Sequence, residues 1–356
     1  MSLSLRDLVA KKLQHIFNFS FYISKMKKTL LPFLFCLLIK ATTAQTILLV
    51  NNGTKTSIRG LSVVNDNTVW VSGSAGTVGK SNDGGTTWTF ITVPGFEKKE
   101  FRDIEAFDDM TAVVMSIDTP AYILRTIDGG KEWDVVFKDT TTGMFLDAME
   151  FWNEQSGIVI GDPINGKFFI ARTFDGGKNW QKIPEANKPI ANIGEACFAS
   201  SGTNIRRLNK QEAVFVSGGL TSSIFIRDKK IKLPIIQGQE STGANSIAVK
   251  DKNTFMVVGG DFNFKDSSNQ NFAFTSDAGT NWVSSIEPPH GYRSCVEFLK
   301  DKTWITCGLN GVDITNDNGQ HFTSISNTGF HVCRKAKKGN AVFFAGGNGR
   351  IGKLIF

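Results

Sequence analysis

The chain has 356 residues, 41% of them hydrophobic and 11% aromatic, with a formal charge of +7. A basic excess is the footprint of phosphate binding, but here its position excludes that reading. Seven of the 40 basic and one of the 33 acidic residues lie in residues 1–44, which leaves 33 basic against 32 acidic groups in the rest. The expected partners therefore include no nucleic acid.

Residues 1–25 read as an over-extended start, with Met26 the initiator. From there Met26-Lys27-Lys28, the apolar run of ten from Leu30 to Ile39 and Ala41-Thr42-Thr43-Ala44 have the three-part layout of a secretory signal peptide, cleaved after Ala44. Ten apolar residues are too few to span a bilayer. A membrane anchor is the alternative, but Lys40 and the small-residue end suit cleavage better. Phe33-Leu34-Phe35 before Cys36 lacks the small residue that a lipidated cysteine needs. The expectation is a secreted or periplasmic monomer in which residues 45–356 form a single domain.

The mature chain begins with a free strand, Thr46 to Val50. Unit one follows from Ser57 to Val93, unit two from about Phe101 to Phe137, unit three from about Phe145 to Ile183 and unit four from about Ile193 to Ile236. Unit five runs from Ala244 to Ile286 and unit six from Tyr292 to Ile325. Each reads as four short strands with glycine-rich turns. Five units carry Ser/Thr-x-Asp-x-Gly-x-x-Trp/Phe before the fourth strand, centred on Asp83, Asp128, Asp175, Asp277 and Asp317 at spacings of 45, 47, 102 and 40 residues. The doubled gap hides unit four, which has lost the motif. In each copy Asp accepts local amides to tie a turn, and the aromatic residue packs between units. These aspartates are structural, not catalytic.

A strand-rich repeat of 40 to 50 residues is the signature of a β-propeller. After His331 the final unit has only strands around Ala341–Gly346 and Arg350–Phe356 and ends one strand short. Supplying Thr46–Val50 as its outer strand closes an all-β ring of seven blades; six is the alternative if unit four is not a full blade.

Cys197, Cys295, Cys307 and Cys333 remain after cleavage. Cys295 with Cys307 or Cys333 is a plausible pair on adjacent strands, and burial as free thiols is the alternative. None has Cys-x-x-Cys spacing, and the histidines are scattered, so no metal site is evident. No cofactor motif is present; in particular no Gly-x-Gly-x-x-Gly links a strand to a helix.

Function should gather on the face opposite the Asp turns. Aligning the innermost strands puts Arg59, Arg102, Leu146, Gly194, Asn245, Arg293 and His331 near their starts, so three arginines and a histidine converge on the channel mouth. Asp118, Asp162 and Asp261 reach the same face from second-to-third-strand loops. The arginine fork suits a carboxylate or phosphate, and the alternative is an internal Arg–Asp network. The long loop from Asp261 to Phe272, with Phe262, Phe264 and Phe272, is either a contact surface or a solvated insertion.

Ser57-Ile58-Arg59-Gly60-Leu61, Val69-Trp70-Val71-Ser72-Gly73, Gly76-Thr77-Val78 and Ser81-Asn82-Asp83-Gly84-Gly85-Thr86-Thr87-Trp88 resemble one unit of the Ycf48-like propellers, the photosystem II stability/assembly factor family. Through its repeats the resemblance extends over residues 45–356. It implies a non-enzymatic, exported, seven-bladed binding protein that holds a protein partner on an arginine patch corresponding to Arg59 and Arg102; the arginine fork itself makes an acidic protein or peptide the expected partner. The chain departs from the family in the lost turn of unit four, the loop at 261–272 and its nearly neutral body.

Sialidase-like glycosidases carry the same Asp-box repeats and are the rival reading. In that reading Arg59, Arg102 and Arg293 grip a carboxylate, Tyr292 is the nucleophile with Glu195 or Glu150 as base, and Asp103 or Asp162 is the acid. Gly60-Leu61 after Arg59 departs from the Ile-Pro of sialidases, and Tyr122 and Tyr292 are the only tyrosines of the mature chain.

Overall fold

Short runs of β-branched and aromatic residues bounded by glycine turns pair into consecutive antiparallel hairpins. The computed structural model describes Gln14 and residues 45–50 and 53–356; apart from Gln14, the start and signal peptide read in residues 1–44 lie outside the described residues. Thr46–Ile355 forms one compact unit. Among the described residues it holds seven sheets.

Blade 1 is Ile58–Val63, Val69–Gly73, Thr77–Ser81 and Thr89–Thr92; blade 2 is Phe101–Ala106, Ala112–Ser116, Ala121–Thr126 and Asp134–Asp139; blade 3 is Leu146–Phe151, Gly157–Ile164, Lys167–Thr173 and Gln181–Lys182. Blade 4 is Ile205–Arg207, Ala213–Val216, Ser223–Ile226 and Lys229–Lys232, a full sheet despite the missing motif. A two-residue turn, Arg227-Asp228, joins its outer strands, with Arg227 at φ +58°. The six-bladed alternative therefore falls.

Blade 5 is the irregular one. Thr242–Val249, Phe255–Asp261 and Phe272–Thr275 are joined on the inner side by Gly218–Gly219 and Glu195–Ala196, and its outer strand shrinks to the bridge between Phe274 and Val283. Blade 6 is Cys295–Lys300, Thr303–Gly308, Gly311–Thr315 and Thr323–Ser326. Blade 7 is Val332–Lys335, Val342–Ala345 and Ile351–Ile355, and Thr46–Val50 completes it, paired antiparallel from Thr46 opposite Ile355 to Val50 opposite Ile351. The ring is thus closed by its two ends.

First strands of successive blades lie against one another around the axis, and the apolar residues fill the seams between blades. Trp70 packs edge-to-face on Trp133 at 6.4 Å, joining blades 1 and 2. Phe272 meets Phe322 at 5.3 Å between blades 5 and 6.

The Asp-Gly turns are tied by local bonds and pack on the same seams. Asp83 accepts the Thr87 amide at 2.9 Å and the Thr87 hydroxyl at 2.6 Å, while Ser81 Oγ accepts the Gly85 amide at 2.9 Å. These bonds, the Thr87 hydroxyl first, hold the exposed Asp83 carboxyl down to about 2. The motif glycine, two residues after the Asp, does two jobs: it takes a positive φ, and it lies flat on the preceding blade. At Gly319, φ is +85° and a Cβ would stand 2.3 Å from Phe272 Cζ.

Gly319→Ala should therefore cost about 2–4 kcal/mol, overpacking added to left-handed strain. Gly143→Ala, with a similar φ but open space around it, should cost about 1–2 kcal/mol from backbone strain alone. Denaturant unfolding of both variants measures the difference, and equal losses would contradict the packing role. Deleting Thr46–Val50 should lower the thermal midpoint and cause concentration-dependent association through the bared edge of Ile351–Ile355, read by calorimetry and light scattering; an unchanged midpoint and scattering mass would contradict closure by this strand.

Candidate functional site

At the end of the ring opposite the Asp-Gly turns, the first strands begin with bulges. Pairing skips one residue between Ile58 and Gly60, Phe101 and Asp103, Leu146 and Ala148, and Ala244 and Ser246. The skipped residues are Arg59, Arg102, Asp147 and Asn245. A bulge frees one residue from the ladder and re-aims its side chain, so four blades present a polar group at the same level.

Arg293 is not the equivalent of Arg59. Its amide bonds to Gly259 O of the preceding blade, as Ile58 N bonds to Gly346 O and Phe330 N to Gly308 O. Arg293 therefore matches Ile58, one position early, and points into its own blade. It is 1% exposed, donates to Asp313 Oδ2 at 2.7 Å and Asn310 Oδ1 at 2.6 Å, and caps the Tyr292 and His290 carbonyls. The expected alignment of Leu146 is corrected in the same way, since Asp147 is the bulged residue. Gly194 lies on the lead-in to blade 4, not on a first strand.

Arg59, Arg102 and His331 do gather, and Arg350 joins them from the second-to-third-strand loop of blade 7. Burial first, then Arg59, Arg102 and Arg350, push the His331 imidazole down to about 3, so it is neutral at physiological pH. Burial and the neighbouring Arg102 hold Arg59 down to about 10. Arg102 Nε has Glu100 at 3.6 Å, and among the described residues Arg59 has no carboxylate within ion-pair distance. Cationic charge here exceeds the carboxylates that answer it.

The aspartates do not supply the balance. Asp162 accepts the Cys197 amide at 2.9 Å and is pushed up to about 6 by burial. Asp261 accepts the Asn263 amide at 2.9 Å and ties the start of its loop. Asp147 is fully buried, and burial, with Asp162 beside it, raises it well above the carboxylate range against the pull of Arg102.

A segment absent from the expectations fills the axis. Between the blade-5 edge strand Glu195–Ala196 and the first strand of blade 4, residues 199–203 cross from wall to wall. Arg59 donates to Ser200 O at 3.3 Å, Arg102 to Ala199 O at 3.2 Å and Arg334 to Gly202 O at 3.2 Å. Ser201 Oγ donates to Ser294 O at 2.8 Å, and Thr203 Oγ1 to Ser246 Oγ at 2.6 Å. Five blades thus grip one irregular segment of small residues. Gly202 lies so close to the buried Asp103 that a Cβ would stand 2.3 Å from its carboxyl carbon. The run Ala199-Ser200-Ser201-Gly202-Thr203 was the available sequence signal, since only small side chains fit the axis.

Beyond this crossing the channel opens toward the Asp-Gly face as a cavity of about 630 Å³. Its wall carries ion pairs: Arg206 lies 3.6 Å from Glu150 and 3.5 Å from Glu297, and Lys337 lies 2.6 Å from Glu105. Asp103, above it, accepts the Met149 and Ile104 amides at 2.8 Å and is raised to about 7 by burial.

The groups proposed for glycoside chemistry are held apart by their partners. The Tyr292 hydroxyl is buried and donates to Asn245 Oδ1 at 2.7 Å, and burial raises its pKa. Glu195 accepts Ser217 Oγ at 2.6 Å and pairs with Lys230 at 2.5 Å, while Glu150 serves Arg206.

The mouth also has an apolar sector. Leu220, Phe262 with Phe264, and Leu309 stand on the second-to-third-strand loops of blades 4, 5 and 6, and Ile193 precedes Gly194, whose Cα faces Leu220. All five are exposed, Ile193 at 92% and Phe264 at 65%. Phe262 is anchored edge-to-face between Phe198 at 5.8 Å and Tyr292 at 6.3 Å.

No family model and no curated protein matches the chain. Solved structures do. "YCF48 bound to D1 peptide" superposes with a TM-score of 0.63 at 15% identity, covering 89% of this chain and 96% of that one. YCF48 from Cyanidioschyzon merolae gives 0.60 at 17% identity, over 87% and 98%. The WD40 β-propeller domain of Doa1 gives 0.56 at 14%, over 88% and 97%. The chain is a seven-bladed β-propeller with the fold that YCF48 and WD40 propellers share.

Proposed function

We propose that this chain is an exported, non-catalytic binding propeller that captures an extended peptide segment of a protein partner across the mouth opposite the Asp-Gly turns. The observation that carries this reading is the division of one face into two sectors. Arg59, Arg102 and Arg350 present cationic charge from blades 1, 2 and 7, and Ile193, Leu220, Phe262, Phe264 and Leu309 present apolar surface from blades 4 to 6. A contiguous exposed apolar patch beside unmatched charge fits a ligand with both characters. The segment at residues 199–203 floors the mouth, so a peptide lies over it and does not thread the ring. Likeness to a propeller solved with a peptide supports the partner class, and the amino-terminal signal layout supports export.

Two measurements test the reading. Peptides selected by phage display on the native protein should be rich in acidic and apolar residues. Their affinity should fall with salt and drop about 10- to 100-fold in Arg59→Ala/Arg102→Ala, as for the loss of charged hydrogen bonds, with circular dichroism unchanged. Selected peptides that bind the double variant as tightly as the parent would overturn the site. Turnover of a fluorogenic sialoside that disappears in Tyr292→Phe would replace the binding reading with the glycosidase one; the Asn245-bound, buried tyrosine predicts no turnover.

A further inference from the structure

Three cysteines far apart in sequence converge in the seam between blades 6 and 7. Cys295 and Cys307 are register partners on the first two strands of blade 6, and Cys333 lies on the first strand of blade 7. Their sulfurs all lie within 4.8 Å of one another, Cys295 and Cys333 at 3.7 Å, and all three residues are 0% exposed. They are free thiols.

We propose that Cys295, Cys307 and Cys333 form a closed, three-coordinate site for a thiophilic d10 cation such as Cu(I). Bonds of about 2.3 Å from one metal to three sulfurs in a plane set the sulfurs about 4.0 Å apart, which is the scale of the triangle already present. Three sulfurs and no carboxylate or imidazole in the cluster select soft ions over hard ones. Three ligands in a dry seam also disfavour zinc, whose structural sites take four.

On binding, three S–H bonds break, three metal–sulfur bonds form and three protons leave to solvent, so a monovalent ion gives a complex of charge 2−. Arg206 and Arg334 act on Cys295 and Arg293 on Cys307, and Glu297, Glu150 and Asp103 face Arg206 or Arg334. The Cys333 amide also donates to Cys295 Sγ at 3.3 Å.

The test is to refold the reduced full chain without oxygen in the presence of Cu(I) buffered by bicinchoninate, then desalt it and measure copper and X-ray absorption. One copper per chain with three sulfur neighbours is expected, unchanged in Cys36→Ala and Cys197→Ala. Cys307→Ala should weaken retention by about 10- to 100-fold or more, at least the cost of losing a second-shell partner, with circular dichroism unchanged; Cys333→Ala repeats the test if the first variant does not fold. No retained copper, equal retention in the cluster variants, a non-sulfur first shell, or a disulfide within the trio in the protein isolated without oxygen would each overturn the site.

Discussion

The antiparallel pairing of Thr46–Val50 with Ile351–Ile355 is the contact on which the other features depend. Every other blade is built largely from contiguous chain and gains its seams by following its neighbour. Blade 7 alone has to wait for the opposite end of the domain. Without that strand, Ile351–Ile355 is an open edge, and the seam among blades 6, 7 and 1 loses Ile47 and Val50, which pack on it. That seam also carries the three core thiols, and the mouth draws Arg350 and His331 from blade 7 and Arg59 from blade 1. Ring closure and the convergence of those groups are one event.

Two devices then turn a scaffold into a face. A bulge at the start of a first strand releases one residue from the ladder, and in blades 1 and 2 that residue is an arginine. The chain between blades 3 and 4 supplies the other device by crossing the axis and offering carbonyls to Arg59, Arg102 and Arg334. The crossing fixes the guanidinium groups without neutralising them, because a carbonyl accepts a hydrogen bond but brings no net charge. The positive charge of Arg59 and Arg102 stays available at the mouth, whereas Arg206 and Arg334, on the far side of the crossing, face Glu150 and Glu297 in an internal network.

Blade 4 shows why the loss of a motif did not mean the loss of a blade. The Asp-Gly turn is one way to join third and fourth strands; Arg227-Asp228 is a shorter one, and the sheet it closes has four strands. Blade 5 keeps its motif and still loses most of its outer strand, because Phe274 meets Val283 in a single bridge. A local turn and the pairing of the strand after it are separate matters, since pairing needs side chains that pack on the outer face as well.

The sequence by itself determined the ring. Motif spacing from Asp83 to Asp317, four short strands per unit and one orphan strand ahead of unit one point to a closed ring of seven blades, with only unit four leaving six open, because repeats and edges are local facts that a linear reading can count. It also placed Arg59, Arg102 and His331 at matching heights. Tertiary structure alone decided the rest. Arg293 stands near the start of a first strand as Arg59 and Arg102 do, and only the hydrogen bond from its amide to Gly259 shows it one residue out of register, where a period of two sends the side chain the opposite way. Arg350 entered the mouth from a loop, the small residues at 199–203 entered the axis from a connection, and Cys295, Cys307 and Cys333 met across two blades. Each of these meetings depends on distances between segments far apart in the chain, and those distances exist only once the circle has closed.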